Sequence, residues 1–161
     1  PDADVIAFGF KFPNKKCPKH PMTINYLGAL KISSVQIAFR RDSVINKKIE
    51  FNQDFGSGSE NGPGEEILFL YQCLRKNLSI QYVPKVIGSV AQTDSMWFKG
   101  FTKKYFENRG KLTRKLMGPI LATLYSIQFA FAKHSRYKKE ISFSSALYHM
   151  FKGVFKRSYV Y

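Results

Sequence analysis

Apolar and polar positions divide this chain into elements before any other property is considered. Val5-Ile6-Ala7-Phe8-Gly9-Phe10, led by Asp4, is a short apolar run and predicts a buried strand. Residues 11–22 hold three prolines and four lysines and predict a loop. Ile32 to Phe39 alternates and predicts a second strand ending at Arg40-Arg41-Asp42, followed by a short helical turn from Ser43 to Ile45. Residues 51–64 are dense in Gly, Ser, Asn and Asp and predict a loop. There Gly62, Pro63 and Gly64 bar regular structure until a run of strong helix formers begins. Ile67, Leu68, Tyr71 and Leu74 follow the three-and-four spacing of a buried helix face, widened by Phe69, Leu70 and Cys73. Arg75 and Lys76 suit the last turn, and Asn77 the left-handed residue that ends it. Ser79 to Pro84 predicts a strand closed by proline, with Val86 to Val90 extending the pairing.

Downstream the character changes. Ser95 through Arg109 predicts one basic, aromatic helix stopped by Gly110. Leu116 to Ala132 is mostly apolar but contains Thr123, Ser126 and Gln128. It falls short of the roughly 20 apolar residues of a membrane span, and predicts a helix packed on the domain or lying at a bilayer surface. His134 to Glu140 predicts a charged break, and Ser144 to Lys156 a last amphipathic helix.

Composition sharpens this picture in three ways. A length of 161 residues suits one domain with a real core, and 15 Phe with 9 Tyr argue against disorder. Charge is lopsided: residues 1–94 hold 12 Lys/Arg against 9 Asp/Glu, whereas residues 95–161 hold 14 against 2. That asymmetry points the C-terminal part toward phospholipid, nucleic acid or a phosphorylated substrate, with a merely solvated basic surface as the plainer reading. Cys17 and Cys73 give no disulfide framework and fit a reducing compartment. Cys17 and His20 have C-x-x-H spacing, but no second pair completes a zinc site. With no initiator Met, and a strand almost at residue 1, the chain is expected to lack the N-terminal part of a larger protein.

The candidate chemistry lies at Glu65 and Glu66, two carboxylates in the first turn of the predicted helix, directly after a glycine loop. Unpaired N–H groups there favour negative charge, so plain partnership with the helix dipole is the commoner role for such acids. Held at the rim of a cleft, they are also placed to accept a proton or orient a hydroxyl.

Taken in order, these stretches resemble the C-terminal half of a family-2 glycosyltransferase with the GT-A fold, of the kind that builds bacterial surface polysaccharides. Asp2 to Phe8 is similar to its central strand, and Ile32 to Arg41 to the acceptor-side strand and its arginines. Phe55-Gly56-Ser57-Gly58 and Gly64-Glu65-Glu66 resemble its glycine-rich loop and acidic helix. Ile80 to Pro84 is similar to the following strand, and Gln92 to Gly110 to a downstream Ser-x-Trp-Phe…Arg-Gly segment. The resemblance covers roughly residues 1–112.

The resemblance implies an α/β fold: the C-terminal part of a GT-A, Rossmann-like mixed sheet flanked by helices, with added C-terminal amphipathic helices. It divides the chain into an acceptor-side half at 1–112 and a basic helical extension at 113–161. It implies that Glu66 is the general base and Glu65 its supporting acid. Arg40, Arg41 and Trp97 are implied in acceptor binding; for Trp97, ordinary packing is an equal alternative. A family member usually has Asp where Glu66 stands. The partners implied are a nucleotide-sugar donor and a saccharide or lipid-linked acceptor, with docking on an anionic membrane surface. The alternative, drawn from the basic C-terminal part rather than from the resemblance, is a non-enzymatic module that binds nucleic acid or anionic membrane. A divalent metal, Mg or Mn, is expected in the full enzyme. Its Asp-x-Asp motif is absent here and expected upstream, which leaves the fragment inactive alone. The location implied is cytoplasmic, at the inner face of the plasma membrane.

Overall fold

The computed structural model describes residues 2–12, 16–56, 58–89 and 100–156. The chain is a mixture of helices with a four-stranded mixed open sheet. It forms two compact units, residues 1–53 with 64–95 and residues 54–63 with 96–161. The boundary expected between residues 112 and 113 falls inside a single long helix and does not separate them.

In the first unit, β1 (Val5–Lys11), β2 (Met22–Thr23), β3 (Ile37–Phe39) and β4 (Ile80–Ser89) lie in the order β2-β4-β1-β3. β1 runs parallel to β4 and antiparallel to β3, and β2 is antiparallel to β4. β3 is shorter than the strand expected from Ile32. The Ser33 N–H donates to Gln36 Oε1 at 3.0 Å, closing a 3-10 turn over Ser34–Gln36. The Gln36 amide then donates to the Phe8 carbonyl at 2.8 Å, so this turn is tied to β1 by a side chain.

β4 does not stop at Pro84. The register steps from Phe8↔Val83 to Gly9↔Val86, leaving Pro84 and Lys85 in a bulge where a missing N–H breaks no ladder bond. Pairing continues to Ser89 opposite Lys11, while Val90 lies outside the described residues.

The same unit holds, among the described residues, the helices α1 (Tyr26–Ala29), α2 (Arg41–Asn46) and α3 (Glu65–Arg75). α3 has the bounds its pattern predicts. Its wholly buried positions are Phe69, Leu70 and Cys73, the residues expected only to widen its apolar face. Phe39 and Phe51 pack on the Phe69 ring at 5.2 and 4.5 Å between centroids. Asn77, at φ 59, takes the left-handed turn after the helix.

The second unit is built on α4 (Lys103–Tyr137) and α5 (Phe143–Phe155). Thr102 caps α4, its hydroxyl accepting from the Tyr105 N–H at 3.1 Å. Gly110 was expected to end a helix; instead it lies inside α4, buried where α5 crosses. A Cβ there would overlap the Met150 carbonyl, and one on Gly153 would overlap the Glu107 carbonyl. The two glycines therefore permit a backbone-to-backbone crossing. The helix kinks at Gly118 (φ 76, ψ 176), and Pro119 opens its second half with the fixed φ that suits a first turn. The charged break starts only after Tyr137. That ring is wholly buried, and its hydroxyl donates to the Ala130 carbonyl at 2.7 Å. Phe106, Phe129, Ala146 and Met150 complete this core.

Candidate functional site

The head of α3 is defined by Gly64. Its φ of 143° and ψ of 0° are open to glycine and strained for any other residue. Having no side chain to cap the helix, it leaves that task to Glu65, whose Oε2 accepts from the Gly64 N–H at 3.0 Å. Glu66 follows, half-buried. Burial pushes its carboxyl above the ordinary glutamate value. The charge and hydrogen bond of Glu65 add to the rise, while the N–H groups of Glu66 itself and of Gly64 offset it in part. Glu66 is thus a stronger proton acceptor, once ionised, than an exposed glutamate.

The arginines expected beside it are both exposed at the junction of β3 and α2. Arg40 donates to Asp2 Oδ1 at 2.7 Å, an ion pair at the surface. Phe39 precedes Arg40 and packs on Phe69, one turn below Glu66, so this junction and the head of α3 adjoin through an aromatic contact. Arg41 is the first residue of α2. Trp97 lies outside the described residues.

Two cavities lie elsewhere, and Glu66 lines neither. One, of about 670 Å³ in the first unit, has walls of Phe10, Phe12, Cys17, Met22 and Tyr82. Cys17 there donates from Sγ to the Phe10 carbonyl at 3.1 Å; its proposed partner in spacing, His20, is exposed. The other, of about 650 Å³ in the second unit, is walled by Gly56 and residues 58–63 of the glycine loop and by Lys104, Tyr105, Asn108 and Arg109. Among the described residues, no three of His, Cys, Asp or Glu converge as a metal shell.

Two polar clusters escaped the sequence reading. Asp4 accepts from the Ser43 hydroxyl at 2.7 Å and from the Ser79 N–H and hydroxyl at 2.8 Å each. Those hydrogen bonds, Ser43 foremost, hold its pKa down to about 2. Glu107, in the other unit, is buried and faces Lys152 at 3.0 Å, Lys156 at 3.3 Å and Lys111 at 3.7 Å. Burial alone would raise its pKa, but the lysine hydrogen bonds and charges outweigh that and lower it. Both clusters link residues far apart in sequence, and only the i, i+4 pair Glu107–Lys111 carried a local signal.

The chain matches no protein-family model, no curated protein and no solved structure.

Proposed function

We propose that this chain is the acceptor-side part of a nucleotide-sugar-dependent glycosyltransferase of family 2 with a GT-A fold. Its sugar would go to a saccharide or lipid-linked acceptor in surface polysaccharide synthesis. The observation that carries the reading is the Glu66 carboxyl: half-buried, raised in pKa, and fixed behind a glycine whose backbone no other residue adopts without strain. The mixed sheet with parallel central strands is compatible with it. So is the order of glycine loop, acidic pair and following strand along the chain.

A sugar hydroxyl is a weak nucleophile at neutral pH. In the proposed step, the Glu66 carboxylate takes the hydroxyl proton as the acceptor oxygen forms its bond to the anomeric carbon. The bond from that carbon to the nucleotide oxygen breaks, and its electron pair leaves with the diphosphate. Glu65 holds the helix start and, by its charge, keeps Glu66 basic. Arg40 and Arg41 offer cations to the acceptor side. No step is assigned to a metal.

The test is transfer from a nucleotide-sugar by the intact protein. Glu66→Gln is expected to lower turnover by about 10²–10⁴-fold while donor binding stays unchanged, and Glu66→Asp to keep part of it. Turnover of Glu66→Gln within a factor of about two of wild type removes Glu66 as the base.

A further inference from the structure

The second half of α4 presents large apolar side chains on both its sides. Ala122, Ser126, Phe129, Ala130 and Tyr137 face the core. On the opposite side, Ile120, Leu124, Ile127 and Phe131 recur at steps of four, three and four, one continuous stripe on a helix. Ile120 is 76% exposed, Leu124 59% and Phe131 67%, with Leu121 exposed beside them. A soluble helix normally carries polar residues on that side, so an apolar stripe there marks an interaction surface.

The charges around the stripe say what covers it. From Asn108 to Lys139 there is no Asp or Glu. Lys138 lies seven residues after Phe131, on the same side of the helix, and Lys139 follows it, both exposed. The two acids of the hairpin are engaged internally: Glu107 with its three lysines, and Glu140 accepting from the Phe101 N–H at 2.6 Å. A second copy of this chain would bring a like-charged surface against itself. An anionic bilayer offers both the apolar depth and the opposite charge. No helix among the described residues is long and apolar enough to cross a membrane, so the geometry is that of a helix lying in the interface.

We propose that this face of α4 seats the protein on an anionic lipid surface. Ile120, Leu124, Ile127 and Phe131 enter the headgroup–acyl boundary, and Lys138 and Lys139, just past the C-terminal end of α4, meet the headgroups. The proposal stands on α4 alone and is independent of any role for Glu66.

The experiment is co-sedimentation of the intact protein with phosphatidylglycerol-containing vesicles and with phosphatidylcholine vesicles, alongside sedimentation velocity without lipid. Wild type is expected to bind the anionic vesicles at least about tenfold more tightly than the neutral ones. Leu124→Glu with Phe131→Glu is expected to lose at least about tenfold on the anionic vesicles. Lys138→Gln with Lys139→Gln should lose about tenfold there. Because the changed side chains are exposed, circular dichroism should be unaltered; the milder pair Leu124→Ser and Phe131→Ser serves if the charged pair does not fold. Equal binding to both vesicle types overturns the proposal, as does undiminished binding by the stripe variants. A lipid-free dimer that the same variants dissolve, with no vesicle binding, assigns the face to a second copy and overturns it too.

Discussion

Glu66 and Asp4 are carboxylates of one unit with pKa values displaced in opposite directions, and their consequences for stability are opposite in sign. Glu66 is raised, chiefly by burial. Its ionisation therefore opposes folding: the favourable state exists below the ordinary glutamate value and is lost as pH rises through the raised one. Glu66→Gln is expected to raise Tm by about 2 °C or more at neutral pH, with the gain shrinking as pH falls through the raised value and gone below the ordinary glutamate value. A pH series of thermal melts checks this, and a variant less stable than wild type at neutral pH overturns it. Asp4 is lowered to about 2 by its bonds to Ser43 and Ser79. Its stabilisation is complete above its ordinary 3.8 and vanishes as pH falls toward 2. Asp4→Asn is expected to cost about 1–3 kcal/mol at neutral pH, with the two melting curves converging in strong acid. The acidic pair and Asn77 were legible because a helix start and a helix stop are written within a few residues. The partners of Asp4 were not, since Ser43 and Ser79 lie 39 and 75 residues away.

Elements were legible where their signals were local. α3, β1 and α5 follow from apolar spacing, as does a strand beginning near Ile80. The errors arise where a tertiary contact reverses a local signal. Gly110 was read as a stop because glycine ends helices in isolation, yet α5 needs the space that its missing side chain leaves. Pro84 was read as the end of a strand, but a bulge absorbs it. The crossing gives a test with an unambiguous sign. By helix propensity alone, Gly110→Ala or Gly153→Ala gains about 1 kcal/mol. The Cβ overlap with the facing carbonyls predicts the reverse, a loss of about 1–3 kcal/mol as the helices are forced apart. Gly118→Ala separates the two causes: its Cβ meets nothing within 4 Å, but its φ of 76° is strained for alanine. It should also destabilise, and should leave the packing around Met150 and Tyr137 unchanged in near-ultraviolet circular dichroism. A stabilised Gly110→Ala protein means that the crossing is looser than the glycines imply.

For the molecule as a whole, a charge of +15 predicts attraction to any polyanion, and the apolar stripe predicts how that attraction differs between partners. In the second unit, Lys111, Lys152 and Lys156 face Glu107, and Lys115 pairs with Asp54 at 2.7 Å. Arg109 lies over the Phe129 ring at 4.1 Å. Lys103, Lys104, Lys133, Arg136, Lys138 and Lys139 then carry most of the charge toward outside partners. Six phosphate contacts lose about a thousandfold in affinity between about 50 and 200 mM salt, because binding rests on counterion release alone. Duplex DNA should therefore be retarded in a gel at low salt, without sequence preference, and released near physiological salt. Anionic vesicles should respond differently, because apolar insertion at Ile120, Leu124 and Phe131 does not weaken with ionic strength. Leu124→Glu with Phe131→Glu ought to remove that salt-resistant part of lipid binding while weakening DNA retardation only modestly through its two added negative charges. DNA binding that persists at physiological salt, or that collapses entirely with the stripe variant, assigns the basic half to nucleic acid instead. The lopsided charge was plain in the sequence, but the stripe was not: Leu116 to Ala132 is apolar on both sides of one helix, and only the fold decides which side is covered.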